Sequence, residues 1–480
     1  MAVPHNTGSP LQRMTKNTDN YRDHVSTVDQ RGKRVWLYPK KPQGVYTRAR
    51  EIVSMVLLLF FFSAPFIKIN EQPLLLFNIL ERKFTIFGLV FWPQDFYLFV
   101  ITTILLIIFI VLFTVVFGRL WCGWACPQTV FMEMVFRKIE YRIEGDAHQQ
   151  KRLNQSPWTA RKIYKKTIKH IIFYTISFVI GNTFLAYIIG LDPLIKIITD
   201  PPSEHMFGLL AMILFSAVFY WIFAFFREQV CTMVCPYGRL QSVLLDRDSI
   251  VVSYDFKRGE PRGRFSRSQS RGNLGDCIEC RQCVDVCPTG IDIRNGTQLE
   301  CINCTACMDA CNAVMKKVNV PAGLIRYASY NGIVQGSKLK LTPRITGYSL
   351  VLILLLVFNI VLLVKRSPFE ITIMRVPGAL YQETADGNIT NLYNLKIINK
   401  SSTDKPITVK LKSPPGELKI IGGELWSRQN ELIETVLLVK IDRNLINFNH
   451  TPVYIDIFAD NQQIKEIRTS FIGPEIKSVK

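Results

Sequence analysis

Long uncharged apolar runs alternate along this chain with strongly polar stretches. A helix needs about 20 apolar residues to cross the hydrocarbon core of a bilayer. Five runs approach or exceed that length, so the pattern predicts five transmembrane helices. They cover residues 52–67, 96–117, 171–191, 206–226 and 345–364. Pro65 shortens the first run, and Gly347 lies near the start of the fifth.

The pattern changes after the last apolar run, where short β-rich segments replace the long hydrophobic ones. These segments are 392–398, 407–411, 436–441 and 453–458. Turn-forming residues separate them at 386–388, 413–416, 422–423 and 460–461. Short strands at this spacing predict a β-sandwich. The tail from residue 366 contains no cysteine that could form a disulfide, and we expect it to be a docking module.

The charge of the chain gives the orientation of these elements. The net charge is +20, which in a soluble protein would suggest nucleic-acid binding. In a membrane protein, basic side chains gather in cytoplasmic loops instead. Here they are concentrated before the first run, after the second and after the fourth, whereas the other two loops carry few, such as Arg82, Lys83 and Lys196. We therefore expect no nucleic-acid partner, a cytoplasmic N-terminus and a periplasmic tail, in a bacterial inner membrane.

These patterns predict five segments along the chain. They are a basic cytoplasmic tail (1–50), a membrane domain with four spans (51–250), a cytoplasmic cysteine-rich domain (251–344), a fifth span (345–365) and a periplasmic β-sandwich (366–480). The fold class is thus a multi-domain membrane protein with an α-helical bundle. Since the first 50 residues are polar and basic, no cleavable signal peptide is expected.

All twelve cysteines fall in four short clusters. By the orientation above, every cluster lies in the cytoplasm, where thiols stay reduced. Disulfides are therefore not expected, and metal binding or redox chemistry is the predicted use.

The strongest motif is a repeated run of four cysteines, Cys-x-x-Cys-x-x-Cys-x-x-x-Cys. Three cysteines at this spacing surround one [4Fe–4S] cluster, and the fourth reaches across to the other cluster. The motif therefore predicts a ferredoxin-like domain with two [4Fe–4S] clusters. The first is held by Cys277, Cys280, Cys283 and Cys311, and the second by Cys301, Cys304, Cys307 and Cys287. A zinc site would use four cysteines arranged as two pairs instead. The second motif departs from the usual pattern at Asn312, which follows the last cysteine where proline is usual, but this residue is not a ligand.

Two further cysteine pairs occur where the second and fourth spans end. They read Cys122-x-x-x-Cys126-Pro127 and Cys231-x-x-x-Cys235-Pro236, and amphipathic runs follow at 130–143 and 240–245. Cysteines four residues apart share one helical face, and proline ends or kinks a helix. Two such pairs on neighbouring helices can direct four thiolates at one site.

The residues leave several uses of this site open. The pairs can hold a further iron–sulfur cluster, bind a soft ion such as Cu(I), which thiolates favour, or cycle as dithiols. Alternatively, they are small buried residues at helix ends. Met132, Met134 and Met233 lie nearby in the sequence, but methionine in an apolar helix usually serves packing.

The motifs that the sequence lacks restrict the choice of electron donor. None of the six histidines lies in the middle of a span, so a haem held within the bilayer is not expected. There is no phosphate-binding lysine loop and no dinucleotide fingerprint after a strand. Electrons are therefore expected from a quinol or a separate reductase.

In combination, these motifs resemble one known family. They are the two Cys-Pro motifs (121–127 and 231–236), the double ferredoxin motif and the tail segment Asp386-Gly387-Asn388-Ile389-Thr390-Asn391-Leu392-Tyr393. Their order is similar to that of the FixG/RdxA/CcoG family of cytochrome c oxidase accessory proteins, from about residue 36 onward.

The resemblance implies a role in assembly of the cbb-type, copper-containing terminal oxidase. It implies reduction of Cu(II) to Cu(I), an immunoglobulin-like C-terminal domain, and oxidase biogenesis proteins or copper chaperones as partners. The copper or redox site would comprise Cys122, Cys126, Cys231 and Cys235. Two alternatives remain open, a quinol dehydrogenase that supplies a periplasmic partner and a non-enzymatic assembly factor. A homodimer is also left open.

Overall fold

The computed structural model describes residues 26–29, 31–69, 71–79, 82–264, 274–336, 342–378, 380–401, 403–423, 425–429, 431–446 and 450–474. The chain forms two compact units. The first comprises residues 1–69 and 73–359, and the second comprises residues 70–72 and 360–480.

The described helices vary from single turns to long apolar rods. They are α1 (Val45–Ser63), α2 (Phe96–Phe117), α3 (Leu120–Trp124), α4 (Pro127–Thr129), α5 (Arg137–Ile143), α6 (Ala147–Gln155), α7 (Ala160–Ile189), α8 (Leu191–Thr199), α9 (Met206–Trp221), α10 (Pro236–Leu244), α11 (Phe256–Gly259), α12 (Gln282–Asp285), α13 (Ala306–Lys317), α14 (Tyr330–Gln335) and α15 (Pro343–Val364). Turns of π-helix cover Val130–Phe136, Ile222–Phe226 and Val230–Val234.

Within the described residues, five helical segments are long and apolar enough to cross a membrane. They are Val45–Phe66, Phe96–Phe117, Ala160–Ile189, Met206–Phe226 and Pro343–Val364. The second and fourth have the predicted bounds. The first and third begin well before the predicted 52 and 171, because their initial turns are charged and hydropathy detects only the apolar part. Those charges have partners: for example, buried Arg50 donates to the carbonyl of Gly123 at 3.0 Å.

One end of α1, α2 and α15 contacts the cysteine-rich domain or the segment that leads into it. The backbone N–H of Ile250 donates to the carbonyl of Val116 in the last turn of α2, at 2.9 Å. Arg344 at the start of α15 lies 3.7 Å from Asp246. At the start of α1, Thr47 donates to Asp309 of the cysteine-rich domain. Helix α7 begins beside Glu144, and the chain after α9 leads directly into the Cys231 motif. The five helices therefore alternate in direction, as an up-and-down bundle does.

The opposite end of the bundle carries small sheets that the sequence did not predict. The strands are β1 (Lys68–Ile69), β2 (Gln72–Pro73), β3 (Leu75–Asn78), β4 (Lys83–Ile86) and β5 (Leu89–Phe91). Strands β3, β4 and β5 form an antiparallel sheet. These strands are only two to four residues long, which is too short for an alternating pattern to be recognised.

The cysteine-rich part of the first unit is built on a two-stranded antiparallel sheet. Strand β6 (Val251–Tyr254) pairs with β7 (Ile325–Ala328) in register from Val251 with Ala328 to Tyr254 with Ile325. Both ferredoxin-type motifs, from Cys277 to Cys311, lie between these two strands in the sequence. Apolar side chains cover the cysteines from one side, among them Val252, Ile291, Ile293, Met308, Met315, Leu324 and Ile325.

The second unit is a β-sandwich, as the spacing of the short β-rich runs predicts. Its strands are β8 (Phe369–Arg375), β9 (Gln382–Glu383), β10 (Asn388–Asn399), β11 (Lys405–Ser413), β12 (Gly416–Ile421), β13 (Leu425–Ser427), β14 (Leu432–Asp442), β15 (His450–Ala459) and β16 (Gln462–Ile472). One sheet has the order β12-β14-β10-β8, with β9 also on β10, and the other has the order β13-β11-β15-β16. The alternate apolar side chains of the two inner faces form one core.

Candidate redox site

The two ferredoxin-type motifs adopt the same local backbone. In the first motif, Glu279 and Arg281 have φ values of 58° and 56°. In the second, the equivalent Asn303 and Thr305 have φ values of 54° and 65°. Left-handed residues are uncommon outside glycine, so their recurrence at matching positions shows a true internal repeat. Turns of this kind expose successive backbone N–H groups on one concave side, which suits an anionic group.

The two repeats together surround two small cavities, and each cavity is lined by cysteines of both repeats. One cavity has an empty volume of about 340 Å³, and its lining includes Cys277, Cys280, Cys283 and Cys311. The other has about 350 Å³, and its lining includes Cys287, Cys301, Cys304 and Cys307. Cys283 lines both cavities, so its side chain lies between them.

The residues around both cavities fit [4Fe–4S] clusters. The lining of each cavity contains the predicted set of four cysteines, which is the ligand number of such a cluster. Burial and the neighbouring thiols raise the pKa of Cys301 to about 12 and that of Cys304 to about 11. Thiols in these surroundings ionise only if a positive group neutralises them, and iron supplies that charge when a cluster binds.

The two Cys-x-x-x-Cys-Pro motifs straddle helix ends, whereas the sequence suggested that each pair shares one helical face. Cys122 lies in α3, but Cys126 is extended, with φ −60° and ψ 125°. Cys231 lies in the π-turn Val230–Val234, and Cys235 is extended, with φ −65° and ψ 110°. The prolines explain the break, because each occupies the first position of the next helix, where proline is favoured.

The four thiols of these motifs lie close enough to influence one another. Burial, with added effects of the neighbouring Cys126 and Cys235, raises the pKa of Cys122 to about 12. Burial also raises the pKa of Cys231, with added effects of Cys126 and Cys122. The Cys122 Sγ lies 3.1 Å from the side-chain oxygen of Gln241. Four mutually repelling thiols beside one another favour a bound cation.

The spacing of these sulfurs limits what that cation can be. In the described part of the chain, only Asp200, Glu204 and His205 form a group of three or more ligand atoms that all lie within 4.8 Å of one another. No three of the four sulfurs meet that limit. A single ion with three thiolates at about 2.3 Å would hold its sulfurs within about 4.6 Å of each other. The arrangement therefore suits an ion shared by two thiolates, or a larger cluster.

The paired cysteines adjoin the second ferredoxin-type cavity. Cys122 packs against a buried group comprising Val286, Ile302, Cys304 and Ala306. Ile302 also lines both the second cavity and a pocket that contains Cys231. The three sites thus form a series: the first cavity, the second cavity and the paired cysteines.

Two buried arginines attach the segment before Cys122 to its surroundings. Arg119 donates to the backbone carbonyls of Leu299 and Gly238, and Arg50 donates to that of Gly123. The sequence interpretation counted Arg50 among the basic residues of the N-terminal tail and gave Arg119 no role, so it missed both contacts. For Arg119, its position directly beside the motif was the available signal.

A buried network of ion pairs lies beside the Cys231 pocket. Arg227 forms two hydrogen bonds with the carboxylate of Glu140, at 2.8 and 2.7 Å. Glu140 also lies 3.5 Å from Lys169, and Arg227 lies 3.6 Å from Glu228. Burial raises the pKa of Glu140, but Arg227 and Lys169 lower it more, to about 2. The carboxylate is therefore ionised in the folded protein.

Comparisons with known proteins agree with this geometry. Residues 226–330 match a family model described as a 4Fe-4S dicluster domain, and residues 99–144 match a 4Fe-4S binding domain. Residues 359–474 match the IG-like fold at the C-terminus of FixG. Both pairs of membrane-edge cysteines thus fall inside segments similar to iron–sulfur proteins, a feature that the sequence interpretation left open.

Several curated proteins are similar to this chain over most of its length. Protein RdxA of Cereibacter sphaeroides is 32% identical over 79% of this chain and 83% of its own. Protein RdxB of the same organism is 32% identical over 79% of this chain and 83% of its own. Nitrogen fixation protein FixG of Rhizobium meliloti is 30% identical over 82% of this chain and 82% of its own.

Proposed function

The chain belongs to the family of FixG, RdxA and RdxB, and from this membership and the geometry we propose that it is a membrane cupric reductase. The substrate is Cu(II), which takes one electron and leaves as Cu(I). The bound iron–sulfur groups would supply single electrons to the reaction. The observation that supports this function is the series of two four-cysteine cavities followed by four soft thiols.

The paired cysteines are the proposed copper site. Thiolates are soft ligands and favour Cu(I) over harder ions, so they stabilise the product relative to the substrate. Since no three of these sulfurs form a group within 4.8 Å of one another, the proposal places the copper ion between two thiolates. Within this proposal, Cys122, Cys126, Cys231 and Cys235 bind copper and act as the catalytic residues. Cys277, Cys280, Cys283 and Cys311 hold one cluster, and Cys287, Cys301, Cys304 and Cys307 hold the other.

The test is Cu(II) reduction by anaerobically purified full-length protein in nanodiscs. Cu(I) formation is followed with a Cu(I)-specific chromogenic chelator after chemical reduction of the protein. The double variant Cys122→Ser/Cys126→Ser is expected to lose most of the activity. Met134→Leu, in the adjoining turn, is the control and should keep full activity, because its thioether serves packing.

The outcome is interpretable only with intact iron–sulfur groups. The low-temperature EPR spectrum of each reduced variant should therefore match that of the parent. If the double variant keeps both this spectrum and full Cu(II) reduction, the paired cysteines are not the copper site.

Assembly of the cbb-type cytochrome c oxidase is the proposed purpose of this chemistry. The basic segments favour an inner-membrane orientation with the ferredoxin-like module in the cytoplasm. The β-sandwich then faces the periplasm and docks oxidase biogenesis proteins or copper chaperones. Deleting residues 366–480 should abolish oxidase assembly in cells but leave Cu(II) reduction by the purified protein unchanged. Unchanged assembly would exclude the docking role.

A further inference from the structure

A groove lies along the membrane-facing surface between α7 and α9. Its lining includes Trp158, Lys166, His170, Tyr174 and Tyr220. His170 lies where the lysine-rich start of α7 gives way to the apolar run that begins at Ile171. The groove is therefore at the depth where the polar surface of a bilayer meets its hydrocarbon core. Ionisable side chains within membrane helices are uncommon and usually functional.

The groove presents one directional hydrogen-bonding pair. Nδ1 of His170 lies 2.9 Å from the hydroxyl of Tyr220. The His170 ring stacks on Phe225, with centroids 5.9 Å apart and planes inclined by 14°. Its second nitrogen, Nε2, has no hydrogen-bond partner among the side chains that the structure describes. The pair thus holds the imidazole in a fixed orientation with one nitrogen available for a ligand.

The pair can bind both redox forms of a ligand whose oxygen changes from hydroxyl to carbonyl. If the imidazole proton is on Nδ1, it is donated to Tyr220 and Nε2 accepts from a hydroxyl. If the proton is on Nε2, Tyr220 donates to Nδ1 and Nε2 donates to a carbonyl oxygen. Both arrangements keep the hydrogen bond between His170 and Tyr220.

The charges behind the groove argue against an anionic lipid headgroup as the ligand. Lys166 lies 2.9 Å from Glu144, and Lys169 lies 2.9 Å from the same carboxylate. Glu144 is only 3% exposed. Because Glu144 contacts both lysines, it offsets part of the positive charge that a phosphate in the groove would meet. Its walls are instead aromatic and aliphatic, which suits an uncharged ring.

The same charges connect the groove with the redox site. From Lys166 and Glu144 the ion pairs continue through Lys169 and Glu140 to Arg227. Arg227 lines the Cys231 pocket. The groove and the cysteine pocket are therefore connected by one continuous network of ion pairs.

We propose that this groove binds the headgroup of a membrane quinone, as quinol or as quinone, with Nε2 of His170 at one ring oxygen. A quinone is apolar, aromatic and soluble in the bilayer, and its oxygens alternate between hydroxyl and carbonyl. The proposed function explains why the protein would bind a quinone, because an electron-transfer protein of the membrane needs a lipid-soluble partner. The binding site itself is inferred from the groove and does not depend on that function.

Binding is tested on full-length protein in nanodiscs, with decylubiquinone as the probe and no copper present. Quenching of tryptophan fluorescence reports occupancy, because Trp158 lies in the groove. Saturable quenching is expected, with binding weakened about tenfold by His170→Phe and severalfold by Tyr220→Phe, as loss of a hydrogen bond predicts. Tyr164→Phe, an exposed tyrosine of α7 outside the groove, should bind like the parent.

Three results would overturn the proposal: non-saturable quenching, equal affinity in the parent and both groove variants, or displacement of the probe by phosphatidylglycerol but not by a second quinone. If His170→Phe loses the iron–sulfur EPR signal, Tyr220→Phe and His170→Gln decide the question, because they preserve more of the packing. Since the assay contains no copper, its result is independent of the Cu(II) reduction test.

Discussion

A Cβ atom on Gly123 would lie 2.4 Å from the carbonyl oxygen of Ile302. Gly123 stands between Cys122 and Trp124 in the first Cys-Pro motif, and Ile302 follows Cys301 in the second ferredoxin-type motif. The absence of a side chain at Gly123 therefore allows the two motifs to meet backbone to backbone. In the proposed electron path, this contact brings the paired cysteines next to the second cavity.

Gly123→Ala should separate these two motifs. The atom it meets is backbone and cannot rotate away, so overpacking should cost about 1–3 kcal/mol of stability. We expect the variant to keep its iron–sulfur EPR spectrum but to reduce Cu(II) severalfold more slowly. Gly347→Ala is the control, because a Cβ there has no heavy atom within 4 Å. Equal rates in both variants would show that this contact does not govern electron transfer.

The order of the sites predicts which iron–sulfur cluster changes its EPR signal when the paired cysteines bind a metal ion. Cys122 packs with Cys304 of the second cavity. Adding Cu(I) to the reduced protein should therefore change the EPR signal of the second cluster. The change should persist in Cys280→Ser, which alters the first cavity, and disappear in Cys304→Ser. A change that survives in Cys304→Ser but not in Cys280→Ser would reverse the proposed order.

The buried pair of Glu140 and Arg227 predicts a strong effect on stability. Glu140→Gln leaves Arg227 and Lys169 without their shared carboxylate, which should cost about 3–5 kcal/mol. The folded-state pKa of Glu140 is lowered from 4.5 to about 2, so its contribution is complete above pH 4.5 and is lost as the pH falls toward 2. Thermal unfolding of the parent and the variant should differ most at neutral pH and converge in acid.

The control for this prediction is an exposed ion pair of the same unit. Glu51 and Lys138 lie 2.8 Å apart, with 39% and 43% of their side chains exposed. Glu51→Gln should change stability by less than about 1 kcal/mol at any pH. If Glu140→Gln is no more harmful than Glu51→Gln, the buried network does not stabilise the fold.

The sequence could predict elements that follow from local periodicity and from ligand spacing. The helices at 96–117 and 206–226 and four strands of the sandwich, β10, β11, β14 and β15, are of this kind. The approach of Gly123 to Ile302 and the pairing of Glu140 with Arg227 could not be predicted, because they join residues 179 and 87 positions apart. Such contacts depend on how the helices pack, and a single sequence carries no periodic signal for them.

In the β-sandwich, Tyr393 and Asn391 connect the two sheets. The Tyr393 hydroxyl donates to the carbonyl of Ser470 at 3.0 Å, and Asn391 exchanges two hydrogen bonds with Ile472. Tyr393 is fully buried, so Tyr393→Phe leaves a carbonyl without its donor and should cost about 1–2 kcal/mol. Differential scanning calorimetry of the full-length variant should show one unfolding transition at a lower temperature than in the parent.

The matched substitution for this test is Tyr454→Phe. Tyr454 is half-buried on β15, and its hydroxyl makes no hydrogen bond within the described part of the chain. That variant should unfold like the parent. Equal transitions in both variants would mean that the Tyr393 hydroxyl does not hold the sheets together.

The carboxylate of Asp309 caps the first long helix from a distant part of the chain. It accepts hydrogen bonds from the backbone N–H of Thr47 and from the Thr47 hydroxyl, both at 2.7 Å. The backbone N–H of Tyr46 donates to it at 3.2 Å. Helix α1 has no capping side chain of its own at Gly44, so Asp309 in α13 joins the ferredoxin-like module to the membrane bundle.

Asp309→Asn should weaken this junction, because the amide loses the negative charge that favours a helix N-terminus and turns a donor toward Thr47. The expected cost is about 1–2 kcal/mol, measured as a lower midpoint of thermal unfolding and as faster proteolysis between residues 39 and 47. Glu51→Gln is the control, since Glu51 lies on the same helix, is 39% exposed and pairs with Lys138 at the surface. If both variants resist protease equally well and the EPR spectra are unchanged, Asp309 does not fasten the module to α1.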